Sequence, residues 1–280
     1  LEILHQRLGS GCEAHALASG REPGRQVDYG SGALDVEALD GFDFSAVDYA
    51  LFSAGAAVSR EHAPRAAAAG AIVIDNTSEF RYDDDIPLVV PEVNRHRLEG
   101  LGPGAIIANP NCSTIQMVVA LAPIHRAAGI ERVNVATYQS VSGAGRKGLE
   151  ELARQTAEKL NLRGGEAQVF PQAIAFNVLP VIDALQDNGY TREEMKMHWE
   201  TRKILEDDGI AVNATAVRVP VFFGHAEAVH LETREPIAID EVERLLREAD
   251  GVVVADPAEL AASPTPAVHE LARLQDMGRL

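Results

Sequence analysis

The sequence predicts an α/β fold: a doubly wound, mainly parallel nucleotide-binding type of domain, then a second domain of α+β character. Three observations lead there. From His15 to Asn76, short apolar runs that read as strands alternate with a helical run. At Ala105–Ala108 an apolar strand is stopped by Asn109-Pro110-Asn111, and a long buried helix follows at once. Beyond it, a period-two strand at Arg132–Ser140 is followed by amphipathic helices. Strands that alternate with helices pair in parallel through right-handed crossovers, and such sheets bind ligands beyond the carboxyl ends of their strands.

Taken in order, Leu1 to Arg7 carries Leu1, Ile3 and Leu4, with Leu8 beyond, at helical spacing and without an N-cap. A strand is expected at His15–Ala18, then the polar stretch Ser19 to Gly24. The next strand, Val47–Ser53, ends in Ala54-Gly55; Ser59 is the expected cap of a helix through Ala69, closed by Gly70. Ala71–Ile74 is a further strand, ending at Asp75-Asn76. Ser19 to Arg21, Ser53 to Gly55, and Asn76 therefore fall at strand carboxyl ends, where an ordinary polar loop and a cofactor loop look alike.

Cys112 stands at the strand–turn–helix junction. The unpaired N–H groups and dipole of a helix N-terminus favour a thiolate, so its pKa is expected below the ~8.5 of a free cysteine. A lone cysteine is more often a small buried hydrophobe. Here, however, the Asn-Pro-Asn turn spends three poor core formers to present one side chain.

Further on, alternation puts Val133, Val135 and Thr137 on one face of their strand. Gln139 precedes Ser142-Gly143-Ala144-Gly145, a loop whose backbone can approach a ligand closely. Lys147 to Leu160 is an amphipathic helix whose apolar stripe is most simply core. Thr191 and Glu194 have capping-box spacing for a helix expected to end at Gly209. Within it Glu200 and Lys203 share a face, on their own most simply as a solvated ion pair. Val217 to Glu232 alternates like one strand. Arg218 and His225, seven apart, would lie on opposite faces of it unless Pro220 and Gly224 bend the chain. Asp240 and Glu243 suggest a capped helix to Ala249, followed by a Val-Val-Val strand.

Composition bounds the function. The 280 residues suffice for two domains, and a hydrophobic share of 46% allows real cores. A formal net charge of −17 argues against nucleic acid or an anionic membrane surface as a partner. No apolar run approaches the ~18 residues of a membrane span. The opening residues lack the basic start and apolar core of a secretory signal. Two cysteines give no disulfide framework, and no Cys/His spacing suggests a metal. A soluble cytoplasmic protein is the expectation.

The stretch N-P-N-C-S-T-I-Q-M resembles the active-site signature of the bacterial aspartate-semialdehyde dehydrogenases. Four further stretches resemble the family in the same order: F-R…P-L-V-V-P-E-V-N at Arg81, T-Y-Q-S-V-S-G-A-G at Gln139, K-M-x-x-E-T-x-K-I-L at Glu200, and R-V-P-V-x-x-G-H at Arg218. The resemblance implies an incomplete Rossmann-like NADP-binding domain over 1–111 and a catalytic and dimerisation domain over 112–280. It implies NADPH-dependent reductive dephosphorylation of L-β-aspartyl phosphate to aspartate β-semialdehyde by a homodimer. That reaction serves the synthesis of diaminopimelate, lysine, threonine and methionine.

In the roles the family implies, Cys112 is the nucleophile, His225 the acid/base and Gln139 the orienting amide. Arg81, Asn111 and Lys203 hold the substrate phosphate, while Arg218 and Glu200 read its amino-acid end. Ser19, Arg21, Ser53, Ala54, Gly55, Asn76, Ser142 and Gly143 meet NADP. Gly20, Glu22 and Ala226 depart from the family pattern, and Glu22 weighs against a phosphate near Arg21. The family's G-x-x-G-x-x-G loop and its returning C-terminal helix have no counterpart here, so the chain reads as a piece lacking both ends. Two other readings stay open on sequence alone: a non-catalytic or cofactor-deficient relative, and a cysteine acyl-transfer enzyme without nicotinamide.

Overall fold

The computed structural model describes residues 2–20 and 25–255, which divide into two units: residues 2–87 with 99–109, and residues 88–98 with 110–255. Among them no helix is long and apolar enough to cross a membrane.

In the first unit, α1 (Glu2–Leu8) leads to β1 (Ala16–Ala18), β2 (Gln26–Tyr29) and β3 (Gly32–Ala38), followed by β4 (Tyr49–Phe52), α2 (Ala56–Ala68), β5 (Ile72–Asp75) and β6 (Ile106–Ala108). β4, β5 and β6 form one parallel sheet in that order, with Tyr49 opposite Ile72 and Val73 opposite Ile106. β1 pairs parallel to β3, which pairs antiparallel to β2 across a turn where Gly30 has φ +61°. This hairpin was not expected, although Val27 and Tyr29 against Leu34 and Val36 carry its period-two signal. Leu39, Phe44, Phe52, Ala63, Ala66 and Val73 build the core against α2.

Ser59 does not cap α2, contrary to the sequence expectation. The helix starts four residues earlier, after Gly55 at φ +103°, and Ser59 is buried inside it, donating to Asp75 Oδ1 at 2.7 Å. A buried carboxylate needs donors, and that need outweighed the capping preference. Gly70 does stand just past the helix, at φ +99°.

The second unit contains α3 (Pro91–Asn94), α4 (Cys112–Ala128), β7 (Ile130–Gln139), α5 (Gly145–Leu160), α6 (Arg192–Leu205), β8 (Ala211–Arg218), β9 (His225–Thr233) and α7 (Ile239–Glu248). Its sheet has the order β8-β7-β9, with β8 parallel and β9 antiparallel to the central β7. Val133, Val135 and Thr137 are buried on one face of β7, as their alternation requires.

Four sequence expectations are corrected here. Val217 to Glu232 is two strands rather than one bent strand, because Pro220 and Gly224 sit in the connection between β8 and β9. α6 has the expected Thr191–Glu194 capping box but ends at Leu205, where Glu206 takes a left-handed conformation at φ 57°. α7 begins after Ala238 with no side-chain cap, so Asp240 lies inside it. Residues 252–254 form no strand.

Candidate active site

The loop after β6 delivers Asn111 as the N-cap of α4 and Cys112 as its first residue. Asn111 Oδ1 accepts from the backbone N–H groups of Ser113 at 3.0 Å and Thr114 at 3.3 Å. Asn111 is itself held by α6: its backbone N–H donates to Glu200 Oε2 at 2.6 Å, and Nδ2 donates to Glu193 Oε1 at 3.0 Å. Both carboxylates are buried, Glu200 completely.

The sheet supplies the other side of the site. Gln139, the last residue of β7, is paired with Arg218 on β8 and with His225 on β9, so the three occupy one row across the sheet. The seven-residue separation that would oppose them on one strand instead joins them through a third. His225 Nε2 lies 3.4 Å from Cys112 Sγ. The backbone N–H of Ser140 donates to His225 Nδ1 at 3.1 Å, which assigns the neutral ring's proton to Nε2, facing the sulfur. Arg218 Nη1 donates to Ser140 O at 2.7 Å, and the guanidinium lies 5.9 Å from the centroid of the Phe170 ring. Gly143 permits this packing, since a Cβ there would stand 2.8 Å from Arg218 Nη1 and 3.6 Å from His225 Nε2.

The electrostatics correct one expectation. Cys112 is exposed as a residue, yet desolvation of its sulfur pushes the thiol up, the Glu193 charge adds to this, and the Ser113 N–H and the Arg218 charge offset it only in part. Burial also holds His225 below the usual imidazole range, with the Arg218 charge acting the same way against a backbone hydrogen bond with Gly224 and the Glu193 charge. Both shifts favour the uncharged forms, thiol and imidazole, over the ion pair.

Glu193, not singled out from sequence, is central. Its Oε1 also accepts from Gln139 Nε2 at 3.2 Å, and its Oε2 from Lys196 Nζ at 3.0 Å. Burial raises its carboxyl, but the Lys196 charge and the hydrogen bonds from Asn111, Lys196 and Gln139 outweigh it and hold the group below the carboxylate range. In the sequence it is one of two adjacent glutamates after Thr191, and only the second has capping-box spacing. Lys203, one turn from Glu200 on α6, is half-buried.

In the first unit, Ser53, Ala54 and Gly55 lie exposed beyond β4, Asn76 beyond β5 and Ser19 beyond β1. Asn76 Nδ2 donates to Ser53 Oγ at 3.4 Å, and Asn76 Oδ1 accepts from Asn109 Nδ2 at 2.6 Å. Exposed polar groups at the carboxyl ends of parallel strands, with a glycine leading into a helix, fit a nucleotide cradle. Arg81 is buried; its Nε donates to Thr77 O at 2.9 Å and Nη2 to Asn76 O at 3.1 Å. The acid beside it in sequence, Glu79, pairs with Arg60 at 2.6 Å. Arg21 lies outside the described residues.

Two family models match the chain. The semialdehyde dehydrogenase NAD binding domain covers residues 1–101, and the semialdehyde dehydrogenase dimerisation domain covers residues 121–278. The aspartate-semialdehyde dehydrogenase of Legionella pneumophila is 58% identical over 265 residues, which span 95% of this chain and 76% of that protein. The chain belongs to the aspartate-semialdehyde dehydrogenase family. Among solved structures of the family, Vibrio cholerae aspartate semialdehyde dehydrogenase II complexed with ASA matches with a TM-score of 0.86 and 54% identity, covering 91% of this chain and 76% of that one. The Candida albicans enzyme with NADP matches with a TM-score of 0.64 and 26% identity, over 84% of this chain and 69% of that one.

Proposed function

We propose that this member of the aspartate-semialdehyde dehydrogenase family reductively dephosphorylates L-β-aspartyl phosphate to aspartate β-semialdehyde, with NADPH as reductant and Cys112 as nucleophile. The observation that carries this reading is the 3.4 Å approach of His225 Nε2 to Cys112 Sγ at the start of α4.

The Cys112 thiol gives up its proton to the His225 ring, and the thiolate attacks the acyl carbon. The carbon–oxygen bond to phosphate breaks, phosphate leaves, and a thioester remains on Cys112. A bound NADPH supplies the hydride that reduces the thioester carbon. The Nε2–H of the resulting imidazolium stabilises the sulfur before attack and lends its proton to the substrate oxygen after reduction, which leaves a neutral ring. Taking that proton back lets the carbon–sulfur bond break, which releases the aldehyde and regenerates the thiolate.

Arg218 supplies a guanidinium for the substrate's α-carboxylate, and Glu200 a carboxylate for its amine. Gln139 orients the substrate, while Arg81, Asn111 and Lys203 take the phosphate. Ser19, Arg21, Ser53, Ala54, Gly55 and Asn76, with Ser142 and Gly143, are assigned to NADP; the exposed polar groups at the strand ends support this. The enzyme acts as a homodimer, a reading supported by the match to the dimerisation domain.

The test is NADPH consumption with β-aspartyl phosphate, alongside single-turnover phosphate release. The reading expects both, and expects both to be lost in Cys112→Ser. Phosphate release without NADPH consumption would replace it with acyl transfer, and neither activity would overturn it.

A further inference from the structure

Asn111 and Gln139 are amides, and an amide can face either way unless its neighbours decide. For Asn111 two neighbours agree. Oδ1 must face the Ser113 and Thr114 N–H groups, and Nδ2 must face a carboxylate that can only accept. Turning the amide over would set Nδ2 against both of those N–H groups and Oδ1 against the carboxylate.

For Gln139 the decision falls to one group. Its Nε2 lies 3.3 Å from Thr137 Oγ1, a hydroxyl that donates or accepts equally well, and 3.2 Å from Glu193 Oε1. An ionised Glu193 therefore fixes the flip. The two hydrogens of Nε2 are spent on Glu193 and Thr137, and the carbonyl oxygen is what Gln139 has left to offer.

We propose that Glu193 is a positioning residue of the reaction, whose single oxygen Oε1 fixes both the Asn111 cap that starts the Cys112 helix and the orientation of Gln139 between Arg218 and His225. This rests on Cys112 being the nucleophile. The carboxylate is anchored from behind: Lys196 Nζ bridges its Oε2 at 3.0 Å to Asp183 Oδ2 at 2.8 Å. The same geometry makes Gln139 an acceptor, so the substrate group it meets is an N–H or O–H donor.

Glu193 also places a negative charge where it resists thiolate formation. The charged and titratable groups acting on Cys112 are Glu193 from α6, Arg218 from β8 and His225 from β9. Positioning and charge therefore pull in opposite directions, and two substitutions separate them. Glu193→Gln removes the charge, and because the Lys196 ammonium draws the amide oxygen, it turns an N–H donor toward Asn111 and Gln139. Glu193→Asp keeps the charge but withdraws the carboxylate by one methylene from Asn111 and Gln139.

The experiment uses the full chain, with circular dichroism and thermal melts as the folding check. Cys112 alkylation by iodoacetamide is followed against pH by peptide mass, and phosphate release from β-aspartyl phosphate is followed in a single turnover. In Glu193→Gln the alkylation midpoint should fall by roughly half a unit to one unit, while phosphate release slows about tenfold or more. In Glu193→Asp the midpoint should stay near that of the unsubstituted protein while release slows by a similar factor.

A folded Glu193→Gln with an unshifted or raised midpoint, or with undiminished release, overturns the proposal. If that variant does not fold, undiminished release in Glu193→Asp overturns it. Failure of the function reading is visible separately, as an unsubstituted chain that alkylates at Cys112 but releases no phosphate. The proposal then falls with the reading it rests on.

Discussion

At Cys112 the donors that make a helix N-terminus attractive to an anion are partly used. Asn111 Oδ1 already takes the N–H groups of Ser113 and Thr114, while burial and the Glu193 charge act on the sulfur. The helix end is visible in the sequence, but what occupies it is not, because α6 lies far along the chain. Iodoacetamide reactivity at neutral pH is therefore a weak identifier of the nucleophile. The acyl label is a strong one: β-aspartyl phosphate should modify the peptide bearing Cys112, and Cys12→Ser should leave that label unchanged. A label on Cys12 would remove Cys112 from the mechanism. Because the thiol is raised, acylation by the free protein should still be climbing with pH through the ~8.5 of an ordinary cysteine; a plateau below that value would contradict it. Arg218→Lys keeps a charge but loses the planar fork and its bond to Ser140 O. We expect KM for aspartate semialdehyde to rise about tenfold to a hundredfold, the equivalent of roughly 1.5–3 kcal/mol, and an unchanged KM would take Arg218 out of the substrate site.

Elements whose cause lies in neighbouring residues were legible. The junction at Asn109–Cys112, the alternation along β7 and the capping box of α6 were all read from sequence. That box is closed in both directions: Thr191 Oγ1 accepts from Glu194 N at 3.3 Å, and Glu194 Oε2 from Thr191 N at 2.6 Å. Thr191→Ala should cost about 1 kcal/mol, within a range of about 0.5–2, read as a lower urea midpoint at unchanged slope. No change would mean that the box contributes nothing. Elements set by distant partners were not legible. Ser59 answers to Asp75, sixteen residues on, rather than to its own helix end. Arg218 and His225 met through Gln139 only because β7 runs between their strands, a pairing that no spacing within 218–225 can show. Glu193 carries no signal in the sequence, since its i,i+3 pair with Lys196 reads the same whether solvated or buried.

For the molecule as a whole, one carboxyl outside the proposed chemistry links folding to pH. Glu227, on β9 two residues beyond His225, lines a cavity of about 330 Å³ with Met117, Leu121, Ile124, Val229 and Leu246. Its Oε1 is buried with no hydrogen-bond partner among the described residues. Burial pushes its pKa from 4.5 to about 7, and the side chains of Gln116 and Ser113 pull it down by less. The folded state thus holds a proton that the unfolded state has already lost between those two values. The stability that Glu227 contributes falls as pH rises through that window and levels off above about 7. At about 1.4 kcal/mol per unit, the cost above the window is on the order of 3 kcal/mol. Glu227→Gln keeps the shape and removes the ionisation. Below pH 4.5 it should match the unsubstituted protein to within about 1 kcal/mol, and above pH 7 it should be the more stable of the two. Urea melts of both proteins across that range measure the gap directly. A gap that stays constant with pH, or one that opens only on the acid side, would show that Glu227 is already ionised in the folded protein at neutral pH.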